Sequence, residues 1–324
     1  MIISSDYMKK SMQEIISKNK EKISEEAAEG IFQIDEVEIA KFLKQIGNYE
    51  IDYIPSGKIK ENLNTKYIGK NIYSFHEVES TNSVAKFLAR FDSPEGTIVL
   101  SEIQTRGKGR SGRKWESPLG GIWLSIILKP DIDPSKASII TLATGVAVAK
   151  TLRGMNIDAR IKWPNDILIN NKKVCGILTE ANSKFNAVDY VIVGVGIDTK
   201  LDTDILADDL REKTTSIAKE TKVTVRESEI IANFLNEFEE VYELFKNEKF
   251  DEILYDWRRM SQTIGSYVEI KQPLGISFTG TAVGINDQGA LILELDNGEL
   301  KKIISGECII PEDELDYTHT LDNF

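Results

Sequence analysis

Cysteine and histidine are scarce in this 324-residue sequence, with two of each: Cys175, Cys308, His76 and His319. Two thiols can build neither a disulfide framework nor, alone, a thiolate zinc site, and two histidines exclude a multi-histidine metal centre. Both cysteines stand in apolar surroundings (KKVCGIL and GECIIP), which suits small-hydrophobe packing in a core. No apolar run approaches the roughly twenty residues of a membrane span. The first residues, MIISSDYMKK, lack a basic stretch leading into an apolar one, so no secretory signal is expected. A cytoplasmic, reduced protein is the expectation. Positive charge is short as well, at 40 Lys and Arg against 52 acids and a net −12. That balance argues against broad nucleic-acid binding, because duplex affinity depends on clustered cations.

What is present reads as a soluble, multi-domain chain. Hydrophobic content of 41% and charged content of 28% are ordinary, and the length allows two or three domains. IYSFHEV, TIVLSEIQ, IWLSIIL and DYVIVGVGI alternate or run apolar as strands do, and NSVAKFLARF reads as a helix. A long apolar helix is expected over about residues 135–155. ARIKWPNDILI and KKVCGILTEA flank Asn170-Asn171, a hairpin turn signal. Residues 198–216 are polar and acidic, and read as a loop or poorly packed segment. Ile230, Ile231, Phe234, Leu235, Phe238, Val241, Tyr242 and Phe245 trace one face of a helix. After Trp257, short strands separated by Asp287-Gln288-Gly289 and Asp296-Asn297-Gly298 suggest an appended β-barrel of about fifty residues.

Against the acidic background, RGKGRSGRKW (Arg106–Trp115) packs five basic residues and three glycines into ten positions. Gly107, Gly109 and Gly112 spell G-x-G-x-x-G, but a dinucleotide turn must open a helix. Here Gly112 leads into RKWESPLGGIWLSIIL, with a proline, two glycines and a β run, and no Walker string is present. What remains is a turn that lets the backbone approach a ligand, flanked by arginine forks suited to phosphate or carboxylate oxygens. A solvated surface loop is the plain alternative.

The order of motifs decides between them. ESTN (Glu79–Asn82), QTRGKGRSGRKW from Gln104, KWPND (Lys162–Asp166), KKVCGILTE from Lys172 and GVGID from Gly194 together resemble the biotin protein ligases, over about residues 70–311. The resemblance implies an α+β fold. Its parts are a mixed, largely antiparallel sheet flanked by helices (class II aminoacyl-tRNA synthetase-like), a C-terminal SH3-like β-barrel and a small N-terminal helical, degenerate winged-helix-like domain. The expected divisions are 1–63, 64–262 and 263–324. It also implies an ATP-dependent, AMP-forming enzyme using Mg²⁺. Biotin is activated to biotinyl-5′-AMP, then moved to a lysine of a biotin carboxyl carrier protein or domain. A lipoate–protein ligase would share the chemistry, but the basic loop with KWPND favours biotin. Homodimerisation through the central sheet occurs in the family.

Carried over residue by residue, the resemblance places Ser80, Thr81, Asn82 and Gln104 at the ureido head of biotin. Gly107, Lys108, Gly109, Arg110, Lys173 and Gly176 complete the biotin-binding set. Arg110, Arg113, Trp115, Lys162, Asn165, Asp166, Lys173, Asp198, Thr215 and Ser216 are expected at the ATP and adenylate. Arg110 and Lys173 are the catalytic cations, and Asp166 orients or deprotonates the incoming amine; no residue is expected to hold a resident metal. Ser-Thr-Asn before a helix is equally an N-cap signal, and Asp166 a turn or capping aspartate. Residues 104–115 and the acidic stretch are expected to act as two lids. Two departures stand out. Lys108 keeps charge but loses the fork of the family's arginine. Asp198 replaces an asparagine whose amide can pair with adenine N6 and N7, and an ionised aspartate could not donate to N7.

Residues 1–60 hold nine lysines, eleven acids and no arginine. The stretch QIDEVEIAKFL, where a winged helix would present its recognition helix, carries Asp35, Glu36 and Glu38. Three carboxylates there would repel DNA, so DNA binding is not expected. The alternative is a bifunctional ligase and biotin-responsive repressor.

Overall fold

The computed structural model describes residues 56–184, 187–222, 224–272 and 275–311. The β-branched runs noted above become strands of one seven-stranded sheet. They are β1 (Ile72–Val78), β2 (Ile98–Gln104), β3 (Gly121–Leu128), β4 (Ala159–Lys162), β5 (Asp166–Ile169), β6 (Lys172–Lys184) and β7 (Ala187–Asp198). The order is β1-β2-β3-β7-β6-β5-β4, and β1–β2 is the parallel pair in an otherwise antiparallel sheet. The expected mixed α+β sheet is what forms. Asn170 and Asn171 take φ of 49° and 64°, the left-handed pair that a tight β5–β6 hairpin requires.

Helix α1 (Ser56–Glu61) precedes β1, and α2 (Thr81–Arg90), α3 (Ala137–Gly154), α4 (Glu227–Lys246) and α5 (Phe250–Arg259) follow in the chain. The sheet separates two apolar layers. On one face α3 is buried nearly all round, because it lies between the sheet and α4. The aromatic stripe of α4 (Phe234, Phe238, Tyr242, Phe245) is fully buried, each ring contributing roughly 1.5–3 kcal/mol. On the other face, Val84, Ala85, Leu88 and Ala89 of α2 pack against Phe75, Val99, Ile127 and Ile192.

Strand alternation then locates the open part of that second face. Along β7, Val191, Val193, Val195 and Ile197 join the α3/α4 layer, while Ile192 packs under α2. The positions that continue the α2 face are Gly194, Gly196 and Asp198. The sheet thus offers a glycine floor just beyond the start of α2.

Residues 198–216 form a loop with short helical turns, as one of the two readings had it, exposed over 207–213 but anchored at points on either side. Leu201, Thr203 and Leu206 are buried, Asp202 caps a 3₁₀ turn at Thr203–Ile205, and Asp208–Arg211 forms one helical turn. Lys173 N–H donates to Lys213 O (2.8 Å) and Thr215 N–H to Lys173 O (2.9 Å), tying the end of the segment to β6. Its apolar residues are too sparse and irregular to show a period in the sequence.

The C-terminal strands β8 (Tyr267–Lys271), β9 (Ser277–Ile285), β10 (Leu291–Leu295), β11 (Leu300–Ile303) and β12 (Glu307–Ile309) form an antiparallel sheet in the order β11-β10-β9-β8-β12. Buried Trp163 ties this sheet to the first. Its backbone N–H donates to Thr263 Oγ1 (2.9 Å) and its indole to Gly289 O (3.2 Å). The helical, winged-helix-like expectation for residues 1–55 lies outside the described residues.

Candidate active site

Three segments converge over the glycine floor. The first is the start of α2. Ser80 occupies the N-cap position but makes no side-chain cap bond, so the capping reading fails for its hydroxyl. Ser80, Thr81 and Asn82 are buried instead, at 2%, 3% and 4% exposure. Thr81 donates its N–H (2.8 Å) and its hydroxyl (3.1 Å) to Gln104 Oε1, and Gln104 Nε2 donates to Ser117 Oγ (2.8 Å). Asn82 lies on Gly194, where a Cβ would sit 2.3 Å from its Oδ1. Glycine there is what lets α2 approach the sheet.

The second segment is the basic loop. Trp115 N–H donates to Gly107 O and Gly109 N–H to Arg113 O, closing a small hairpin around a 3₁₀ turn at Arg110–Gly112. No helix follows, as the dinucleotide reading would have required. A Cβ on Gly107 would lie 2.3 Å from Trp115 O. The Trp115 ring then lies over Gly176 and Gly196, whose Cβ atoms would come within 3.0 and 2.6 Å of it. Trp115 meets Trp123 edge to face, with centroids 6.4 Å apart, and Lys173 Nζ stands 4.9 Å from a Trp115 ring centroid. The Trp115 indole N–H is buried without a hydrogen-bond partner among the described residues.

The third is KWPND with the start of β6. Trp163–Pro164 is cis, and Asn165 is locked by a reciprocal pair with Ile177, Nδ2 to O and O to N–H, both 2.9 Å. Arg110 Nη1 reaches Asn165 Oδ1 (3.1 Å) and Gly306 O (3.2 Å), and Lys173 Nζ pairs with Asp166 at 2.6 Å. Burial lowers the Arg110 pKa from its ordinary value, Asp166 working against that, yet a guanidinium that titrates so high stays cationic. Arg113 is exposed and pairs with Glu307 of β12 (2.9 Å). Lys108 is exposed and donates to Ser83 Oγ (3.0 Å). Lys162 is half-buried beside this cluster, and Lys172 is solvated.

Asp198 ends β7 on the same face as Gly194 and Gly196, 1% exposed, with Oδ1 unpartnered among the described residues. Burial pushes its carboxyl well above the ordinary range, and Lys173 offsets this only in part. The sequence reading took Asp198 as ionised, whereas burial favours its protonated form, and a protonated carboxyl presents one acceptor and one donor, as an amide does. Thr215 and Ser216 are buried beside Lys173, but the Thr215 hydroxyl donates to Glu220 Oε1 (2.6 Å). Both cysteines are buried, as their surroundings suggested.

Sequence reasoning missed Ser117, Ser125, Glu180 and Glu307. The signal for two of them was available: Ser125 is a hydroxyl inside the apolar run GIWLSIIL, and Glu180 ends the strand motif KKVCGILTE. A polar residue within a buried strand needs a partner, and here each partner is in the site.

The fold and the clustered cations can now be set beside known proteins. The model of the biotin/lipoate A/B protein ligase family matches residues 74–198, and that of the biotin protein ligase C-terminal domain matches residues 263–310. The class is therefore that of protein ligases acting on biotin or lipoate. Among curated relatives, the bifunctional ligase/repressor BirA of Bacillus subtilis is 36% identical over 256 residues, 78% of each chain. The biotin–[acetyl-CoA-carboxylase] ligase of Mycobacterium tuberculosis is 30% identical over 239 residues, 71% of this chain and 85% of the relative. Among solved structures, the biotin protein ligase from Aquifex aeolicus in complex with biotin and ATP superposes with a TM-score of 0.63 at 28% identity. That match covers 75% of this chain and 99% of the other. The chain belongs to the biotin protein ligase family.

Proposed function

We propose that this biotin–protein ligase does its chemistry in the pocket over Gly176, Gly194 and Gly196. The enzyme activates biotin with ATP to biotinyl-5′-AMP and pyrophosphate, then transfers biotin to a lysine of an acceptor protein. The observation that carries the siting is the meeting of Arg110, Lys173, Asn165 and Asp166 at one edge of that floor, with buried Thr81 and Asn82 and half-buried Gln104 at the other. Biotin has the matching polarity, with an anionic carboxylate at one end and a neutral ureido ring at the other.

In the first step a biotin carboxylate oxygen attacks the α-phosphorus, and the bond to the pyrophosphate oxygen breaks. Two anions must meet, so cations fixed in advance supply most of the rate. Arg110 is held by Asn165 and the Gly306 carbonyl, which leaves the rest of its fork for phosphate oxygens. Lys173, beside Asp166 and the Trp115 ring, is the second cation for the meeting anions. Mg²⁺ arrives with ATP as part of the substrate, bound by phosphates plus one or two protein oxygens. Asn165 and Asp166 would supply those oxygens, and the ion would neutralise phosphate charge there. The Trp115 ring and the buried Asp198 carboxyl serve the base.

In the second step an acceptor lysine amine attacks the anhydride carbonyl and AMP leaves. The amine must first lose a proton. Asp166, paired with Lys173 in the free chain, is the carboxylate placed to accept it. The acceptor protein we expect is a carrier domain of a biotin-dependent carboxylase. Biotin-dependent ATP–pyrophosphate exchange, with lipoate as control, tests the reading. Exchange with lipoate as fast as with biotin would overturn it.

The name of the B. subtilis relative includes a repressor function. For this chain, Asp35, Glu36 and Glu38 favour an N-terminal segment that does not bind an operator. A gel shift on its own biotin-gene promoters, with and without biotinyl-5′-AMP, separates the two.

A further inference from the structure

Behind Thr81 a row of hydrogen-bonded side chains runs away from the pocket and ends on a charge. Lys86 Nζ pairs with Glu180 Oε1 at 2.6 Å, and Asn82 Nδ2 donates to Glu180 Oε2 at 2.8 Å. The second Nδ2 hydrogen of Asn82 faces Leu178 O (3.4 Å), and Asn82 Oδ1 lies 2.6 Å from Ser125 Oγ. Ser125 Oγ is in turn 2.8 Å from Thr81 Oγ1. These groups come from α2, β3 and β6, and meet only because Gly194 of β7 leaves room for Asn82.

Proton counting makes the row directional. An ionised carboxylate only accepts, so both Asn82 amide hydrogens point to Glu180 and Leu178, and Asn82 must accept through Oδ1. Ser125 has a single hydrogen and gives it to that oxygen. Ser125 therefore cannot donate to Thr81. The Thr81 hydrogen goes into the protein, to Ser125 Oγ or to Gln104 Oε1, and its lone pairs are left for a ligand donor. A cyclic urea carries N–H donors of that kind. Lys86 and Asn82 hold the Glu180 carboxyl below its ordinary range despite partial burial, so the charge this counting needs is present at neutral pH.

We propose that Glu180, braced by Lys86, is a positioning residue of the biotin pocket: it fixes the Asn82 amide and, through Ser125, makes the Thr81 hydroxyl an acceptor for a ureido N–H. The proposal rests on the reading of Thr81 and Gln104 as the ureido site. Glutamine at position 180 can turn its amide, allowing Asn82 to flip and Ser125 to donate to Thr81, which occupies one of the two Thr81 lone pairs and competes with the ligand donor. Aspartate keeps the charge with a shorter reach.

The test uses the full-length chain. Calorimetric binding of biotin without nucleotide, and separate KM values for biotin and ATP in pyrophosphate exchange, are measured for the wild type, Glu180→Gln, Glu180→Asp and Thr81→Val. Loss of a charge-assisted hydrogen-bond arrangement predicts a roughly tenfold or greater rise in biotin Kd and KM for Glu180→Gln. The ATP KM should stay within twofold, and Glu180→Asp should recover part of the loss. A biotin Kd for Glu180→Gln within twofold of wild type overturns the proposal. Equal losses for biotin and ATP do so too, because a merely structural role moves both. If Glu180→Gln does not fold, Glu180→Asp decides by the same split: a raised biotin Kd with ATP unchanged supports the proposal, and no change overturns it. Thr81→Val separates the layers. Unchanged biotin affinity in that variant removes the ureido reading itself, whereas loss there with none at Glu180 removes only the positioning role.

Discussion

Replacing Asp198 by asparagine tests what the pocket demands of that carboxyl. Asp198 is 1% exposed, its Oδ1 has no partner among the described residues, and burial drives its pKa well up. An aspartate in the unfolded chain loses its proton near pH 3.9. Between that point and its folded titration, the native state holds a proton the unfolded state has released. Stability therefore falls as pH rises through this window, by about 1.4 kcal/mol per pH unit. Asparagine fills the same space with no such dependence. The stabilising effect of Asp198→Asn should thus be larger at pH 7 than at pH 5. Urea unfolding at the two pH values, followed by tryptophan fluorescence, measures this directly. The four tryptophans, at 115, 123, 163 and 257, lie in the first sheet and its flanking segments, with Trp163 also bonded to Gly289, so the signal reports that sheet and its junction with the C-terminal strands. A gap that stays constant or narrows with rising pH would mean that Asp198 is ionised in the fold, and the donor argument would collapse. ATP affinity of the variant at neutral pH should be equal or better, and a clear loss would sink the equivalence of the protonated carboxyl and an amide at this position.

Further outcomes follow from individual contacts. Arg110→Lys keeps the charge but cannot hold Asn165 and Gly306 while presenting a fork, so exchange should slow by about ten- to a hundredfold; an unchanged rate would count against the phosphate role. Gly196→Ala puts a Cβ 2.6 Å from Trp115 Nε1, and should weaken nucleotide binding while sparing biotin in calorimetry. Gly194→Ala, 2.3 Å from Asn82 Oδ1, should do the reverse, and the same profile for both variants would refute the two-ended pocket. Burial pushes the Cys175 thiol well up and the Cys308 thiol to about 12, so neither should react with a thiol reagent at pH 8 until denaturant is added. Rapid labelling of the native enzyme would show that the core opens there.

The sequence alone determined the family, because the spacing of ESTN, the basic loop, KWPND and GVGID is a linear property that chemistry at one site keeps together. It also determined the strands and long helices, since unbroken β-branched runs and the aromatic stripe of α4 have one stable way to be buried. Periodicity could not show the packing of residues 198–216, where a few buried side chains and two backbone bonds to Lys173 hold the segment. Nor could it show which charges survive burial. Asp198 reads as an anion in the sequence, whereas burial in the fold pushes its carboxyl well above the ordinary range, because desolvation is a property of everything packed around it. Glu180 lies ninety-eight positions from Asn82 along the chain, yet 2.8 Å away in space. Only the register of β3, β7 and β6 under α2, with glycine at 194, makes them neighbours.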